Sequence, residues 1–156
     1  MIVGIHHVAM HTANFDRLID FYDRAFGFKP VAEPMSWANE PDIDATIGVP
    51  GSAARAVMLK AGTCYLEVFE YSSPPAREGQ PLRPNDHGYT HFCVDVTDIR
   101  AEYERLKQEG MTFAKDSPLD MGDIKAVYGK DPDGNIIEIQ EVVPEHAFAL
   151  SNSGLG

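Results

Sequence analysis

The 156-residue chain has the length of one ordinary domain, and 44% hydrophobic against 24% charged residues supports a packed core without covalent staples. Its 13 Lys and Arg face 24 Asp and Glu, and the resulting net charge of −11 repels phosphate backbones and anionic lipid. Nucleic acid and membrane surfaces are therefore excluded as partners, and an anionic substrate would need a local positive centre such as a bound metal. Cys64 and Cys93 have no CxxC spacing and read as two core thiols. No stretch approaches ~20 apolar residues and no basic-then-apolar leader opens the chain, so a cytoplasmic protein without signal peptide or membrane span is expected.

The first predicted strand opens Gly4-Ile5-His6-His7-Val8-Ala9-Met10. A helix follows, with Phe15, Leu18, Ile19, Tyr22 and Phe26 at helical intervals, Asp16, Arg17, Asp20 and Arg24 opposite them, and a stop near Gly27. Residues 31–52, rich in Pro, Gly, Asp and Glu, are expected to be mostly loop after a short strand near Lys29–Ala32. They carry Trp37, the one tryptophan, and a loop of this length is commonly a lid or binding loop. Ala54–Leu59 and Tyr65–Tyr71 are strand-like. The pattern then restarts: Gly88-Tyr89-Thr90-His91-Phe92-Cys93-Val94 repeats the opening motif, with His91 standing 84 residues after His7 and Asp98 on Asn14. Ile99, Tyr103 and Leu106 form the second helical stripe, with Thr97 or Asp98 as N-cap and Gly110 as the stop. Strands Ile124–Tyr128 and Ile136–Val142 follow, joined by the turn sequence Lys130-Asp131-Pro132-Asp133-Gly134-Asn135. From Pro144 onward a loose tail or short terminal helix is expected. Each half thus reads as a βαβββ unit.

Strand alternation assigns faces. His7 shares a side with Ile5, Ala9 and His11; Glu67 with Tyr65, Phe69 and Tyr71; His91 with Tyr89, Cys93 and Asp95; Glu138 with Ile136, Gln140 and Val142. Each half therefore supplies one histidine near its start and one carboxylate near its end, and facing halves would bring two His and two Glu to a common axis. Such a donor set suits Zn, Ni, Co, Mn or Fe with positions left open for a substrate. Glu67 and Glu138 interrupt apolar strands, where an unpaired buried carboxylate is costly, although the same alternation also describes a plain solvated sheet face. His6, His11, His87 and His146 lack a counterpart in the other half and are assigned structural or surface roles.

The two Gly-x-x-His strands with their helices, and above all Asp131-Pro132-Asp133-Gly134-Asn135-Ile136-Ile137-Glu138-Ile139, resemble the vicinal oxygen chelate superfamily. This group includes glyoxalase I, methylmalonyl-CoA epimerase, extradiol dioxygenases and the fosfomycin and bleomycin resistance proteins. The resemblance implies an α+β fold in which two βαβββ modules (about 4–75 and 86–142) form one domain, 1–142, a half-open mixed β-barrel with a metal site in its cleft, followed by a tail at 143–156. It implies one divalent metal held by His7, His91 and Glu138, the ligands of most enzymatic branches. Glu67 would be the fourth, as in the glyoxalase and epimerase branches, which are the closest in pattern. The implied activity is that of a metal-dependent isomerase, epimerase or lyase. It would act by proton abstraction with enolate or enediolate stabilisation on a small oxygen-chelating substrate, with Glu138 and Glu67 as the acid–base pair. Phe69, Tyr71 and Trp37 are the candidate substrate-binding residues, and a homodimer is the usual assembly. Phe69-Glu70-Tyr71-Ser72-Ser73 lacks the asparagine that holds glutathione in glyoxalase I, and the basic residues Arg55, Arg77 and Arg83 are too scattered to favour coenzyme A. The alternatives are an extradiol-type Fe(II) dioxygenase on His7, His91 and Glu138, with His11 and Tyr128 as further catalytic groups, and a metal-free small-molecule binder lined by Tyr65, Phe69, Tyr71 and Trp37.

Overall fold

The computed structural model describes residues 1–77 and 79–154. The chain divides into two compact units, Met1–Gly79 and Gln80–Gly156. Unit 1 contains β1 (His7–His11), α1 (Phe15–Phe26), β2 (Lys29–Pro30), β3 (Met35–Ala38), α2 (Pro41–Ile47), β4 (Ala53–Ala61) and β5 (Cys64–Ser73). Unit 2 contains β6 (His91–Asp95), α3 (Ile99–Gln108), β7 (Thr112–Phe113), β8 (Leu119–Asp120), β9 (Ile124–Lys130), β10 (Ile136–Val142) and a short 3-10 turn at Leu150–Asn152. The sheet orders match: β1-β5-β4-β2 in one unit and β6-β10-β9-β7 in the other, with β3 and β8 also pairing on β4 and β9. Because β2 and β3 lie along the same edge of β4, and β7 and β8 along the same edge of β9, each pair is one interrupted strand. The βαβββ plan is therefore present twice.

In each unit the histidine strand lies parallel to the glutamate strand, β1 on β5 and β6 on β10. A parallel pair needs a crossover, and the helix supplies it while covering one face of the sheet. Phe15, Leu18, Phe21, Tyr22 and Ala25 of α1 are buried, as are Leu66 and Val68 of β5. Unit 2 repeats this with Ile99, Tyr103 and Leu106 of α3 and Ile137 and Ile139 of β10. The intervening residues, Glu67 and Phe69 in one strand and Glu138 and Gln140 in the other, point away from the helix and are only partly covered.

The helix starts are built twice as well. Asn14 and Asp98 cap α1 and α3, accepting from Arg17 N at 3.3 Å and Ala101 N at 3.1 Å. Glu70 and Glu141, each three residues beyond Glu67 and Glu138, accept from the first helical amides, Phe15 N at 3.1 Å and Ile99 N at 2.9 Å. Each also takes a cation from its neighbouring strand, Arg55 at 2.7 Å and Lys125 at 2.8 Å. The Arg55 hydrogen bond holds Glu70 below the usual carboxylate range, and the Ile99 amide, then Lys125, do the same for Glu141. Depressed carboxylate pKa values contribute stability above the unfolded-state value that is lost as pH falls through the folded one. The melting temperature should accordingly drop below about pH 4.5. A Glu70→Gln/Glu141→Gln variant, less stable at neutral pH by about 1–2 kcal/mol per site, should show a flatter acid limb in thermal melts.

The structure corrects two expectations. Residues 31–52 are not mostly loop: they hold β3 and α2, too short and too interrupted by Pro34 and Pro41 to show periodicity. Asp44 of α2 organises this excursion by accepting from Gly51 N at 2.7 Å and from Ser52 N at 2.9 Å. The second helix behaves as expected: it ends at Gln108 with Glu109 as its C-cap, and Gly110 follows at φ 101°, the glycine stop. The cysteines are not core thiols, since Cys64 is half-buried and Cys93 exposed. In the C-terminal segment Val143 N donates to Asp123 O at 2.9 Å and Ala149 is buried; residues 155 and 156 of the expected tail lie outside the described residues. No helix among the described residues is long and apolar enough to cross a membrane.

Candidate functional site

The uncovered face of each sheet carries one His–Glu pair. In unit 1 the parallel register sets His7 beside Tyr65 and Ala9 beside Glu67, and His7 reaches diagonally to place Nε2 3.2 Å from Glu67 Oε2. In unit 2 His91 stands beside Ile136 and Cys93 beside Glu138, and His91 Nε2 lies 3.3 Å from Glu138 Oε2. Two donors bound to one ion at about 2.1 Å stand ~3.0–3.4 Å apart, from an octahedral to a tetrahedral edge, so both pairs have the spacing of neighbouring ligands. Among the described residues neither glutamate is paired with a Lys or Arg. The structure brings the four predicted ligands together as two pairs; among the described residues no group of three or more His, Cys, Asp or Glu side chains is gathered closely enough to hold a metal.

The residue before each histidine has a role that the sequence reading missed for His6. His6 Nδ1 lies 3.0 Å from His7 Nδ1, and the His6 ring stacks on Tyr65 with centroids 5.0 Å apart. Thr90, at the matching position, sets Oγ1 2.8 Å from His91 Nδ1. A partner on Nδ1 fixes the ring and, when it accepts the Nδ1 proton, leaves Nε2 as the free base that metal coordination requires. The counterpart of His6 is a threonine, and the shared chemistry, a side chain able to hydrogen-bond the ligand ring's Nδ1, is invisible to a search for matching letters. Thr90→Val should weaken divalent-metal affinity about 10- to 100-fold by calorimetric titration, whereas Thr90→Ser should keep it.

The rest of unit 2's face mixes polar groups, Tyr128, Cys93, Asp95 and Gln140, with the apolar Ile136 and Val142. Tyr128, opposite Glu138 across the antiparallel pair of β9 and β10, places its hydroxyl 3.3 Å from His91 Nε2. Burial first, then the Glu138 carboxylate, raises its pKa. The Cys93 thiol is pushed up to about 12 by desolvation around its sulfur and by the charges of Glu138 and Asp95. At neutral pH it is therefore a neutral thiol and a poor nucleophile. Burial, then Glu141, raises Asp95, whose buried Oδ1 has no hydrogen-bond partner among the described residues.

Unit 1's face is aromatic. The rings of Phe69 and Tyr71 stack at 5.7 Å, and Trp37 stands nearly perpendicular to both, at 6.1 and 5.9 Å. Pairing of β3 on β4 sets Trp37 opposite Ala54, and its indole N–H donates to Ser52 Oγ at 2.8 Å. The predicted substrate-binding trio is therefore a contiguous cluster on the sheet that bears His7 and Glu67.

Comparison with known proteins gives a consistent picture. The family described as Glyoxalase/Bleomycin resistance protein/Dioxygenase superfamily matches residues 4–139. A 2-epi-5-epi-valiolone epimerase from an Actinomyces species is 32% identical over 114 residues, covering 69% of this chain and 59% of that protein. The chain spans between 43% and 64% of the length of the curated relatives it matches. A glyoxalase family protein from Bacillus cereus superimposes with a TM-score of 0.80 at 16% identity, covering 91% of this chain and 95% of that one. A mutant of the fosfomycin resistance protein FosX from Listeria monocytogenes, complexed with Mn(II) and 1S,2S-dihydroxypropylphosphonic acid, superimposes with a TM-score of 0.60 at 15% identity, covering 96% of this chain and 100% of that one.

Proposed function

Because the chain belongs to the glyoxalase/bleomycin resistance protein/dioxygenase superfamily, we propose that it is a divalent-metal-dependent epimerase or isomerase of a small, oxygen-chelating carbonyl compound. The observation that carries the reading is the duplicated His–Glu pair, with donor separations of 3.2 and 3.3 Å. His7 and Glu67 would hold the ion together with His91 and Glu138, the two pairs coming from one chain or from two. A single pair offers too few donors; two pairs give the four that a mixed nitrogen–oxygen site uses, and the two carboxylates offset the ion's charge. When bound, such an ion polarises the substrate's carbonyl and acidifies the adjoining C–H. Glu67 and Glu138 are then the acid–base pair: one carboxylate takes the proton from that carbon and the other returns a proton to its opposite face. His6 and Thr90 hold the histidine rings. Tyr128, a neutral phenol, donates to Glu138 and keeps that carboxylate oriented.

The epimerase relative and the Mn(II)-bound FosX support metal-assisted chemistry on a small molecule. We read residues 1–142 as one domain of two modules, 4–75 and 86–142, with 143–156 appended. A homodimer suits the exposed apolar side chains of Ile2, Val3, Ile5 and Tyr89. The test is metal analysis followed by proton exchange in D2O with 2-oxo acids, acyl thioesters, hemithioacetals and cyclic hydroxyketones. Near-stoichiometric Mn, Zn, Ni, Co or Fe, with exchange at the carbon beside the carbonyl and no oxygen uptake, is the expected result. Protein that binds no divalent metal would sink the reading and leave a small-molecule binder. One observation favours a second reading, the Fe(II) dioxygenase: the Tyr128 hydroxyl lies 3.3 Å from His91 Nε2, where a catalytic phenol would serve. Oxygen consumption with a catechol would decide for it.

A further inference from the structure

The two units carry the same His–Glu pair but different surroundings. Where unit 1 has His11, Phe69 and Tyr71, the matching positions of unit 2 hold Asp95, Gln140 and Val142. The His7–Glu67 pair therefore adjoins a cluster of rings, whereas the ring beside the His91–Glu138 pair is that of Tyr128, 4.8 Å from His91.

The ring cluster has a defined construction. Phe69 and Tyr71 lie within 24° of parallel, and Trp37 meets them at 83° and 87°, so indole and phenyl planes form a corner. His11 joins at 5.6 Å from Tyr71. Its Nδ1 accepts the Tyr71 backbone N–H at 3.3 Å; the neutral ring therefore carries its proton on Nε2, a hydrogen-bond donor. Along β1 the residue between His7 and His11 on this face is Ala9, exposed and too small to fill the gap. The face thus runs from the His7–Glu67 pair, across a small residue, to a wall of rings with one N–H donor at its far end. The segment holding β3 and α2 delivers Trp37 to that wall and locks it through Ser52 and Asp44.

From these features we infer that unit 1 binds the ring of a neutral, cyclic substrate. One flat face of the ring rests on Trp37, Phe69 and Tyr71, and one of its oxygens accepts from His11 Nε2. Flat C–H or π faces gain from aromatic contact, while among the described residues the wall's donors are His11 Nε2 and the Tyr71 hydroxyl and the wall includes no Lys or Arg. The chain's net charge of −11 adds a field that disfavours anions. This rests on reading the face of His7 and Glu67 as the substrate side, and it adds the substrate's shape and charge.

The test uses the only tryptophan, Trp37, as its own reporter. Metal-stripped and Mn(II)-loaded protein is titrated with 2-hydroxycyclohexanone, with the linear hydroxyacetone and with the anionic pyruvate, following emission. The cyclic probe should perturb Trp37 and bind about tenfold more tightly than the linear one in both protein forms. That preference should fall to about threefold or less in Phe69→Leu, which keeps bulk without a ring, and in His11→Phe, which keeps a ring without the donor. Equal affinity for the cyclic and linear probes, tighter binding of pyruvate, or a ring preference that survives both substitutions would overturn the inference. Because the metal-stripped arm contains no ion, a failure of the metal reading leaves the ring preference intact, and the two failures are distinguishable.

Discussion

Glu138→Gln should bind Mn(II) or Zn(II) at least about 100-fold more weakly than the parent chain and exchange substrate protons about 1,000-fold more slowly, with a thermal melt that is nearly unchanged. The amide keeps the size of the carboxylate and its place on β10 but loses the charge that offsets the ion and the basicity that takes a proton. Glu138 is only partly covered, and its polar partners include His91 at 3.3 Å and the Tyr128 hydroxyl. Glu67→Gln should match it in metal affinity, since Glu67 stands in the same relation to His7. If Glu67→Gln retained full exchange activity, the two-carboxylate scheme would be replaced by one in which Glu138 alone moves the proton. Metal stoichiometry by mass spectrometry and exchange rates by proton NMR read the two effects separately.

The adjacent position should behave in the opposite way. Ile137→Ala is expected to cost about 3–4 kcal/mol and to lower the melting temperature by roughly 10 °C. Ile137 is fully buried beside Ile139, in the core that Ile99, Tyr103 and Leu106 of α3 complete. Truncation removes buried methyl and methylene groups and leaves a cavity that a strand paired on both edges, to β6 and β9, cannot collapse into. Urea denaturation of unit 2 reads the loss. Metal affinity measured well below the melting point should fall by no more than about threefold, because Glu138 and His91 remain in register. On the proposed function neighbouring residues thus divide the work: one side of β10 holds the fold, and the other carries the chemistry.

That division explains what was legible from sequence. The Gly-x-x-His repeat, the alternation in β5 and β10 and the Asn14 and Asp98 caps are local patterns, and each specified its element. The βαβββ plan followed from them, since a parallel strand pair bridged by a helix has few alternatives; the pairing of His7 with Glu67 and of His91 with Glu138 within each unit did not, because strand alternation assigns a face and not a partner. What escaped were features made by residues distant in sequence or unlike in letter. Nothing near Glu70 or Glu141 announces that they hold helix N-termini 55 and 42 residues away. The equivalence of His6 and Thr90 lies in what their side chains accept. The 31–52 segment was illegible because β3 exists only by pairing with β4, and α2 is held by Asp44's bonds to Gly51 and Ser52.

The matching strand orders have a consequence for descent. A chain that holds one plan twice in tandem can let its copies diverge, because on the proposed function the chemistry needs one His and one Glu from each while recognition can be left to either. Here the first copy has acquired rings and an inserted helix, and the second has kept a phenol and small polar groups. Substrate range can then drift by substitutions in the first copy alone, at Trp37, Phe69, Tyr71 and His11, without a compensating change in the second. Ancestral or laboratory lineages of this chain should change what they accept through unit 1 long before they change the reaction.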